Sequence, residues 1–290
     1  MSETQERPGV RRFAALTAAM TLVLILAGGF VTTTRTGDTI PTWPQSWGEK
    51  MEVGWPVEWS HRAAAGIVAV LVTVLAIWIQ RREPRRSVRI IGWAAFAAVL
   101  VQAMIGGLRI KTVAPVPVAI IHACFGQLVF CAMVATALLV SDVWRRTPAD
   151  NSTAGARVLG INTTIVAFLQ LVAGAVTRHT HVALEIHLVG AGAVLVLVSL
   201  FVSRLMMTQL RKGGYLLLAV LGLQLVLGVA TWAIKAGGFI RSHESSVFQI
   251  VIISAHVAVG AALLATSLAV TLMCHRGPAV AAARLEASPA

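Results

Sequence analysis

Glu58, His61 and Arg62 are the residues of this chain whose types and spacing are best suited to chemistry. They stand together at the start of an apolar run, 60–79, that is otherwise suited only to lipid. Glu58 and His61 are three residues apart and therefore share one face of a helix. Because ionisable side chains are rare in membrane spans and usually functional there, the cluster predicts a site. The alternative is an interfacial pair of Glu58 with Arg62.

Three further histidines, His122, His187 and His256, stand near the starts of other apolar runs. A single intramembrane histidine is commonly a hydrogen-bonding residue between helices. Four imidazoles at comparable depth favour axial ligands of haem iron, since the core of a helix bundle is a common cofactor site. Zinc fits less well, because no cysteine or carboxylate set completes a tetrahedron. The sequence therefore predicts two bis-histidine haem sites, one of His61 with His122 and one of His187 with His256.

Transmembrane helices are the elements that must position these histidines. Of the 290 residues, 57% are hydrophobic and 12% are charged, and the mean hydropathy is +0.79. A soluble domain carries about a quarter charged residues. We therefore predict an all-α polytopic membrane protein, and no cleavable signal peptide is evident. Eight apolar runs are long enough to cross roughly 30 Å of hydrocarbon: 13–33, 60–79, 89–109, 117–140, 158–177, 184–205, 215–235 and 248–273.

The net charge of +12 reports membrane orientation and gives no evidence for nucleic-acid binding. Sixteen of the 24 basic residues fall on one side of the membrane if the N-terminus is cytoplasmic. The positive-inside rule then places both termini in the cytoplasm and the four histidines in the outer half of the membrane. Anionic membrane lipid is the partner that such basicity favours.

The second half of the chain repeats the first, span by span. Each half has four spans, so we predict two tandem four-helix bundles in the same orientation, a parallel internal repeat. The predicted domains are residues 1–140, a polar cytoplasmic linker at 141–157, and residues 158–290. The matching segments are "GGFVT" with "AGAVT", "HRAAAGIVAVLV" with "HLVGAGAVLVLV", "LVQAMIGGL" with "GLQLVLGVA", and "IIHACFGQLVF" with "ISAHVAVGAAL".

The two halves differ beside their histidines. Leu184 stands at the position equivalent to Glu58, and Glu185 follows it, roughly 100° further around the helix. A carboxylate beside only one haem predicts one reactive site and one electron-transfer site. The outer connection 34–57 is long and able to gate entry of a bulky ligand, whereas its counterpart, 178–183, is short.

Two motifs carry a resemblance to a known family. They are the outer stretch "GGFVTTTRTGDTIPTWPQSWG", residues 28–48, and "EWSHR", residues 58–62. On them the chain resembles the heme A synthase family, over essentially all eight spans. The first is similar to that family's outer loop with its P-x-W-P motif, and the second matches the family's E-x-x-H-R. Many members place cysteines on either side of P-x-W-P, where this chain has Ile40 and Ser46, so that disulfide cannot form here.

The resemblance implies an oxidoreductase that converts the C8 methyl group of heme O to a formyl group. Its product, heme A, serves terminal cytochrome oxidases, and its substrate would come from heme O synthase. A bound heme b would relay electrons. The implied location is a bacterial cell membrane, crossed several times. The sequence leaves open the electron donor or acceptor and the oligomeric state, a homo-oligomer included.

Residue roles follow from the motifs and from the difference between the halves. Glu58 is the candidate catalytic residue, as a charge that stabilises an electron-poor haem methyl or as a proton acceptor. His61 and His122 are expected to hold the substrate haem, and His187 and His256 a resident heme b. Three arginines are candidates to pair with haem propionates, although each is equally an interfacial side chain: Arg35, Arg62 and Arg178.

Two other classes of protein remain open at this stage. A non-catalytic diheme cytochrome b would use the same bis-histidine ligands for electron transfer alone, and Glu58 counts against it. A transporter built on a tandem repeat would explain the duplication. It would not explain four histidines at one depth.

Overall fold

The computed structural model describes residues 8–44, 54–112, 116–146, 154–236 and 246–276. These ranges contain α-helices and no strand, which confirms the all-α prediction. The helices are α1 (Pro8–Thr34), α2 (Trp55–Arg82), α3 (Arg86–Lys111), α4 (Val116–Val140), α5 (Asp142–Arg146), α6 (Ala154–Thr180), α7 (Leu184–Leu205), α8 (Arg211–Ala236) and α9 (Val247–Cys274).

Eight of these described helices, all except α5, are long and apolar enough to cross a membrane. Each contains one of the eight predicted apolar runs, and together they indicate a multi-pass membrane protein. Most helices extend a few residues beyond the predicted run. α2, for example, continues through Arg81 and Arg82, because a helix satisfies its backbone hydrogen bonds internally and does not end where hydropathy falls.

Part of the stretch predicted as a linker, 141–157, is helical. α5 lies within it, and α6 begins at Ala154. Arg276, just after α9, is buried, donates a hydrogen bond from Nη2 to the Arg145 carbonyl over 3.1 Å, and lies 5.7 Å from the Trp144 ring. The short helix is therefore attached to the end of α9.

Packing divides the chain into two compact units that differ from a simple division between α4 and α6. The first unit is Met1–Val140 with Leu227–Ala258, and the second is Ser141–Val226 with Val259–Ala290. Both α8 and α9 therefore contribute one part to each unit. The tandem four-helix halves inferred from the repeat stay a prediction.

In the first unit, α1 to α4 form a ring in which neighbouring helices pack as α1–α2, α2–α3, α3–α4 and α4–α1. This order places α2 and α4 at opposite corners. Buried side chains from all four helices fill the centre, among them Val68, Val72 and Met133. Since lipid is as apolar as these side chains, close van der Waals packing, more than hydrophobic burial, holds such helices together. The ring presents α2 and α4 to the same interior.

Small residues allow close packing in both units. A Cβ on Gly29 of α1 would lie 3.0 Å from the Cβ of Ser254, so that α9 approaches α1 closely within the first unit. In the second unit, a Cβ on Gly160 of α6 would lie 2.9 Å from the ring of Phe201, which is fully buried. Larger residues at either glycine would separate the helices.

Candidate functional site

Each of the four histidines lies against a glycine of the preceding spanning helix. A Cβ built on each glycine would approach the imidazole Cε1 to 3.0–3.1 Å, closer than ordinary contact. The missing side chain therefore provides the space that the ring occupies. The same contact is made in four helix pairs, two of which are α1–α2 and α3–α4 of the first unit. The four contacts are Gly28 with His61, Gly106 with His122, Gly174 with His187, and Gly228 with His256.

His61 and His122 stand at matched positions on α2 and α4. Each lies six residues after the first residue of its helix, about 9 Å along the axis. Because α2 and α4 occupy opposite corners of the ring, the two imidazoles come from opposite sides of one bundle. His61 Nδ1 is buried and has no hydrogen-bond partner within the described residues. These features fit axial ligation of a haem, which needs two imidazoles from facing helices.

His187 and His256 belong to different units, His187 to the second and His256 to the first. Their pairing stays a prediction that rests on the sequence repeat. The described residues contain no group of three or more His, Cys, Asp or Glu side chains arranged to hold a metal ion. A bis-histidine haem site does not require one, because the porphyrin supplies the remaining ligands of the iron.

The Glu58 carboxylate is buried, with 3% of the residue exposed, and four donors surround it. Thr39 Oγ1 and the Ile40 backbone N–H each donate to Oε2 over 3.0 Å. Arg62 donates to Oε1 from Nε over 3.0 Å and from Nη2 over 2.5 Å. The interfacial pair of Glu58 with Arg62 is therefore present, one helical turn apart on α2. The same carboxylate also binds the loop between α1 and α2.

Arg62 binds that loop as well. Its Nη1 donates to the Thr42 carbonyl over 2.6 Å and its Nη2 to the Ile40 carbonyl over 2.9 Å. All three guanidinium nitrogens thus already donate to acceptors of the protein. A haem propionate at Arg62 would have to share or replace these bonds, so the propionate role of this residue stays a prediction.

The loop is also attached to α3, through the tryptophan of the P-x-W-P motif. The ring of Trp43 packs on the backbone of Gly107, where a Cβ would lie 2.5 Å from ring carbons. Lys111 Nζ lies 5.8 Å from the centre of the same ring. Gly107 directly follows Gly106, the glycine that contacts His122. The sequence repeat aligned the segment of Gly106 with its counterpart in the second half but missed the role of Gly107, for which the adjacent glycines were the available signal.

Two further contacts attach the loop to α3 and to the start of α2. Arg109 Nη2 of α3 lies 3.5 Å from the Asp38 carboxylate. Gly54, which precedes α2, has φ 104, and a Cβ there would lie 2.7 Å from Thr36 Cγ2. Glycine is therefore favoured by both backbone conformation and space. Residues 36–44 consequently lie against the N-terminal end of α2 and the C-terminal end of α3, beside His61 and the glycine of His122.

No contact described above involves the remaining predicted site residues. Arg35 is exposed and has a left-handed backbone with φ 57. Arg178 is half-buried in the last turn of α6, in the second unit. Glu185 is exposed, in contrast to the buried Glu58. Ser46 lies outside the described residues. The short connection predicted at 178–183 is shorter still, because α6 continues to Thr180.

We predict that Glu58→Ala releases the loop. The Ile40 N–H would lose its carboxylate acceptor and Arg62 its partner, so hydrogen exchange at 39–42 should accelerate at least about 10-fold, as expected for loss of a charge-assisted hydrogen bond of about 1.5–3 kcal/mol. Hydrogen–deuterium exchange with mass spectrometry of the detergent-solubilised protein measures this change. Glu185→Ala is the matched control, because that glutamate is exposed. Unchanged exchange at 39–42 in Glu58→Ala would contradict the anchoring role.

Comparison with known proteins finds similarity over part of the chain. Residues 50–189 match the protein family described as "Cytochrome oxidase assembly protein". The matched range contains Glu58, His61, His122 and His187. It ends before His256.

Curated relatives bear one common name. A protein named heme A synthase from Lysinibacillus sphaericus is 28% identical over 58% of this chain and 57% of its own length. Another of that name, from Exiguobacterium sibiricum, is 25% identical over 58% of each chain. A third, from Shouchella clausii, is 37% identical over 26% of each chain. The chain thus matches somewhat more than half the length of the first two relatives. The chain is therefore similar, over part of its length, to proteins named heme A synthase.

Proposed function

We propose that this protein is a heme A synthase, which oxidises the C8 methyl group of heme O to a formyl group. One observation carries the proposal: four imidazole–glycine contacts recur along the chain, and among the described residues a buried carboxylate stands one turn from only one of these imidazoles, His61. Similarity to proteins named heme A synthase supports the same reaction. Heme O synthase would supply the substrate, and assembly of cytochrome oxidase would use the product.

His61 and His122 would hold the substrate haem inside the ring of α1 to α4. His187 and His256 would hold a resident heme b, which supplies one-electron transfer when bound. The loop at 36–44 lies beside the first pair of histidines, which supports that half as the place where substrate enters and leaves. The protein would lie in a bacterial cell membrane with both termini in the cytoplasm, as the distribution of basic residues favours.

Glu58 would act chiefly as a fixed negative charge near the substrate. Its two oxygens accept four hydrogen bonds, so its position and charge are held before the substrate arrives. Preorganised charge of this kind stabilises positive charge that develops at a reacting centre, and it needs no reorganisation during the reaction. Service as a proton acceptor would require Arg62 or the loop to release one oxygen. The geometry therefore favours the electrostatic role.

One observation favours a second function, electron transfer by a diheme cytochrome b without catalysis. All four described hydrogen bonds to Glu58 come from the loop or from Arg62, so the residue could serve only to anchor the loop. The two functions differ in the haem that the protein carries, and a single extraction experiment separates them.

Haem identity is therefore the test of the proposed function. We predict that protein purified from cells able to make heme O shows a low-spin, six-coordinate spectrum, since paired imidazoles are strong axial ligands. Acid–acetone extraction followed by chromatography should yield heme B together with heme O or heme A. Heme B alone would favour the cytochrome. No haem, or a high-spin spectrum unchanged by replacing any of the four histidines, would contradict both functions.

The role of Glu58 is tested with a pair of variants. Glu58→Gln keeps the volume and removes the charge, and we expect heme A formation to fall about 10²-fold or more while haem content stays near wild type. Thr39→Val removes one loop hydrogen bond and keeps the charge, so its heme A formation should stay within a few-fold of wild type. The measurement is heme A content in a host that has no other synthase. Equal losses in both variants would show that Glu58 acts through the loop alone.

The assignment of the two haems is tested by replacing the ligands. Replacing His187 or His256 with Ala should remove heme b from the purified protein, because each variant lacks one axial ligand. Replacing His61 or His122 should leave heme b bound and stop conversion of heme O. Pyridine hemochrome spectra of the four variants measure heme b, and chromatography measures conversion. The reverse pattern would move the substrate site to His187 and His256.

A further inference from the structure

Arg109 is a charged side chain in the last turn of α3, close to the histidines of the first unit. It stands three residues after Gly106, the glycine that contacts His122, so Arg109 and Gly106 share one face of α3. Three residues are about 4.5 Å along a helix axis, which places Arg109 about one turn from the level of the His122 ring. Its charge also acts on the imidazole of His61. Arg109 is therefore associated with both histidines of the first pair.

The loop between α1 and α2 leaves room for the guanidinium of Arg109. A Cβ on Gly37 would lie 2.6 Å from Nη1 and 2.7 Å from Nη2, so a side chain at residue 37 would displace the guanidinium. The next residue, Asp38, places its carboxylate 3.5 Å from Nη2. Arg109 thus lies between α3 and the same loop that binds Glu58.

The ion pair with Asp38 does not account for a charge at this place. The side chain of Asp38 is 61% exposed and that of Arg109 is 24% exposed. Exposed ion pairs contribute little to stability, because water screens the charges and two long side chains must be ordered. The pair also engages one nitrogen of a guanidinium that carries five N–H groups. Most of the donors of Arg109 are therefore left for another partner.

One of these donors is buried. Arg109 Nε is shielded from solvent and donates no hydrogen bond to any described residue. A buried donor without an acceptor has a desolvation cost, which an arriving acceptor would remove. Arg62, in contrast, already donates from all three of its guanidinium nitrogens. Nε and the adjacent Nη nitrogen of an arginine match the two oxygens of a carboxylate. Arg109 is accordingly better prepared than Arg62 to bind one.

We propose that Arg109 binds a propionate of the substrate haem and thereby sets the orientation of that haem. The inference rests on the proposed function, because it requires a haem at His61 and His122. It deepens that function by naming the side chain that recognises the carboxylate edge of the substrate. The sequence gave no reason to select Arg109 among the arginines, since only the fold brings it to the loop and to these histidines.

Orientation matters because two axial imidazoles leave a haem able to rotate about the axis through the iron. The C8 methyl group stands on the same pyrrole ring as one propionate, so holding that propionate also fixes the place of the methyl. Glu58 is the fixed negative charge beside His61. A haem held by its propionate at Arg109 would keep one methyl group in a constant position relative to that charge.

The experiment compares binding of heme O with binding of its dimethyl ester, in which both propionates are neutral. Protein that carries heme b, purified from cells without heme O synthase, is titrated with each compound, and difference absorbance gives the two Kd values. We expect the preference for heme O over the ester to fall about 10-fold in Arg109→Gln, as for loss of a charge-assisted hydrogen bond. Partition into detergent is the same for both proteins and cancels in this comparison.

Two variants serve as controls. Lys111→Gln removes the same charge from an exposed residue two positions further along α3, and its preference should equal that of wild type. Asp38→Asn removes the ion pair but keeps the guanidinium, so it should also retain the preference. An equal loss in Lys111→Gln would indicate a general effect of charge, and an equal loss in Asp38→Asn would show that Arg109 acts through the loop. Either result would overturn the proposal.

Arg109→Lys keeps the charge without the paired donors, so the inference stays testable if Arg109→Gln does not fold. We expect it to lose part of the preference, by a few-fold. Heme A formed per bound heme O should fall in Arg109→Gln and stay unchanged in Lys111→Gln. A wild-type preference in both Arg109 variants would overturn the proposal. Wild-type protein that binds neither heme O nor its ester would overturn the proposed function instead, so the two failures are distinguishable.

Discussion

The contact of an imidazole with bare helix backbone is the interaction on which the rest of the structure depends. A histidine ring can enter a bundle interior only where the neighbouring helix has no side chain, and glycine provides that space at four places. The helices must then approach closely at the depth of each ring. This requirement sets which faces of α1 and α2, or of α3 and α4, meet. Packing elsewhere in the ring, around Val68 and Met133, is compatible with that arrangement.

Burial of Glu58 beside the partly buried Arg62 imposes a second constraint. Taking two charges out of water has a large cost, which a protein offsets only when every donor and acceptor is satisfied. Here the loop supplies the hydrogen-bond partners. Thr39 and the Ile40 N–H donate to Glu58, and the Ile40 and Thr42 carbonyls accept from Arg62. The ion pair and the loop therefore require each other, and any motion of the loop changes the surroundings of His61. The position of the loop and the charge beside this histidine are therefore coupled.

The helix pairs differ in the groups that surround each histidine. His122 and His187 have a glutamine amide at the ring and at the backbone, whereas His61 has a buried carboxylate one turn away and a loop beside it. The difference lies in few positions, chiefly Glu58 and Arg62.

Hydropathy alone determined the eight spans, because each helix in a membrane satisfies its own backbone and needs about 20 apolar residues, a local property. Residue type and register also identified His61, His122 and Glu58 as special, since ionisable residues at membrane depth are rare. Only the tertiary structure decided that Glu58 and Arg62 bind the loop, that Trp43 packs on Gly107, and that Gln102 and Gln170 donate to histidine carbonyls. These contacts join residues up to 64 positions apart, from Trp43 to Gly107, and no local pattern encodes which distant partner fills the space at a glycine.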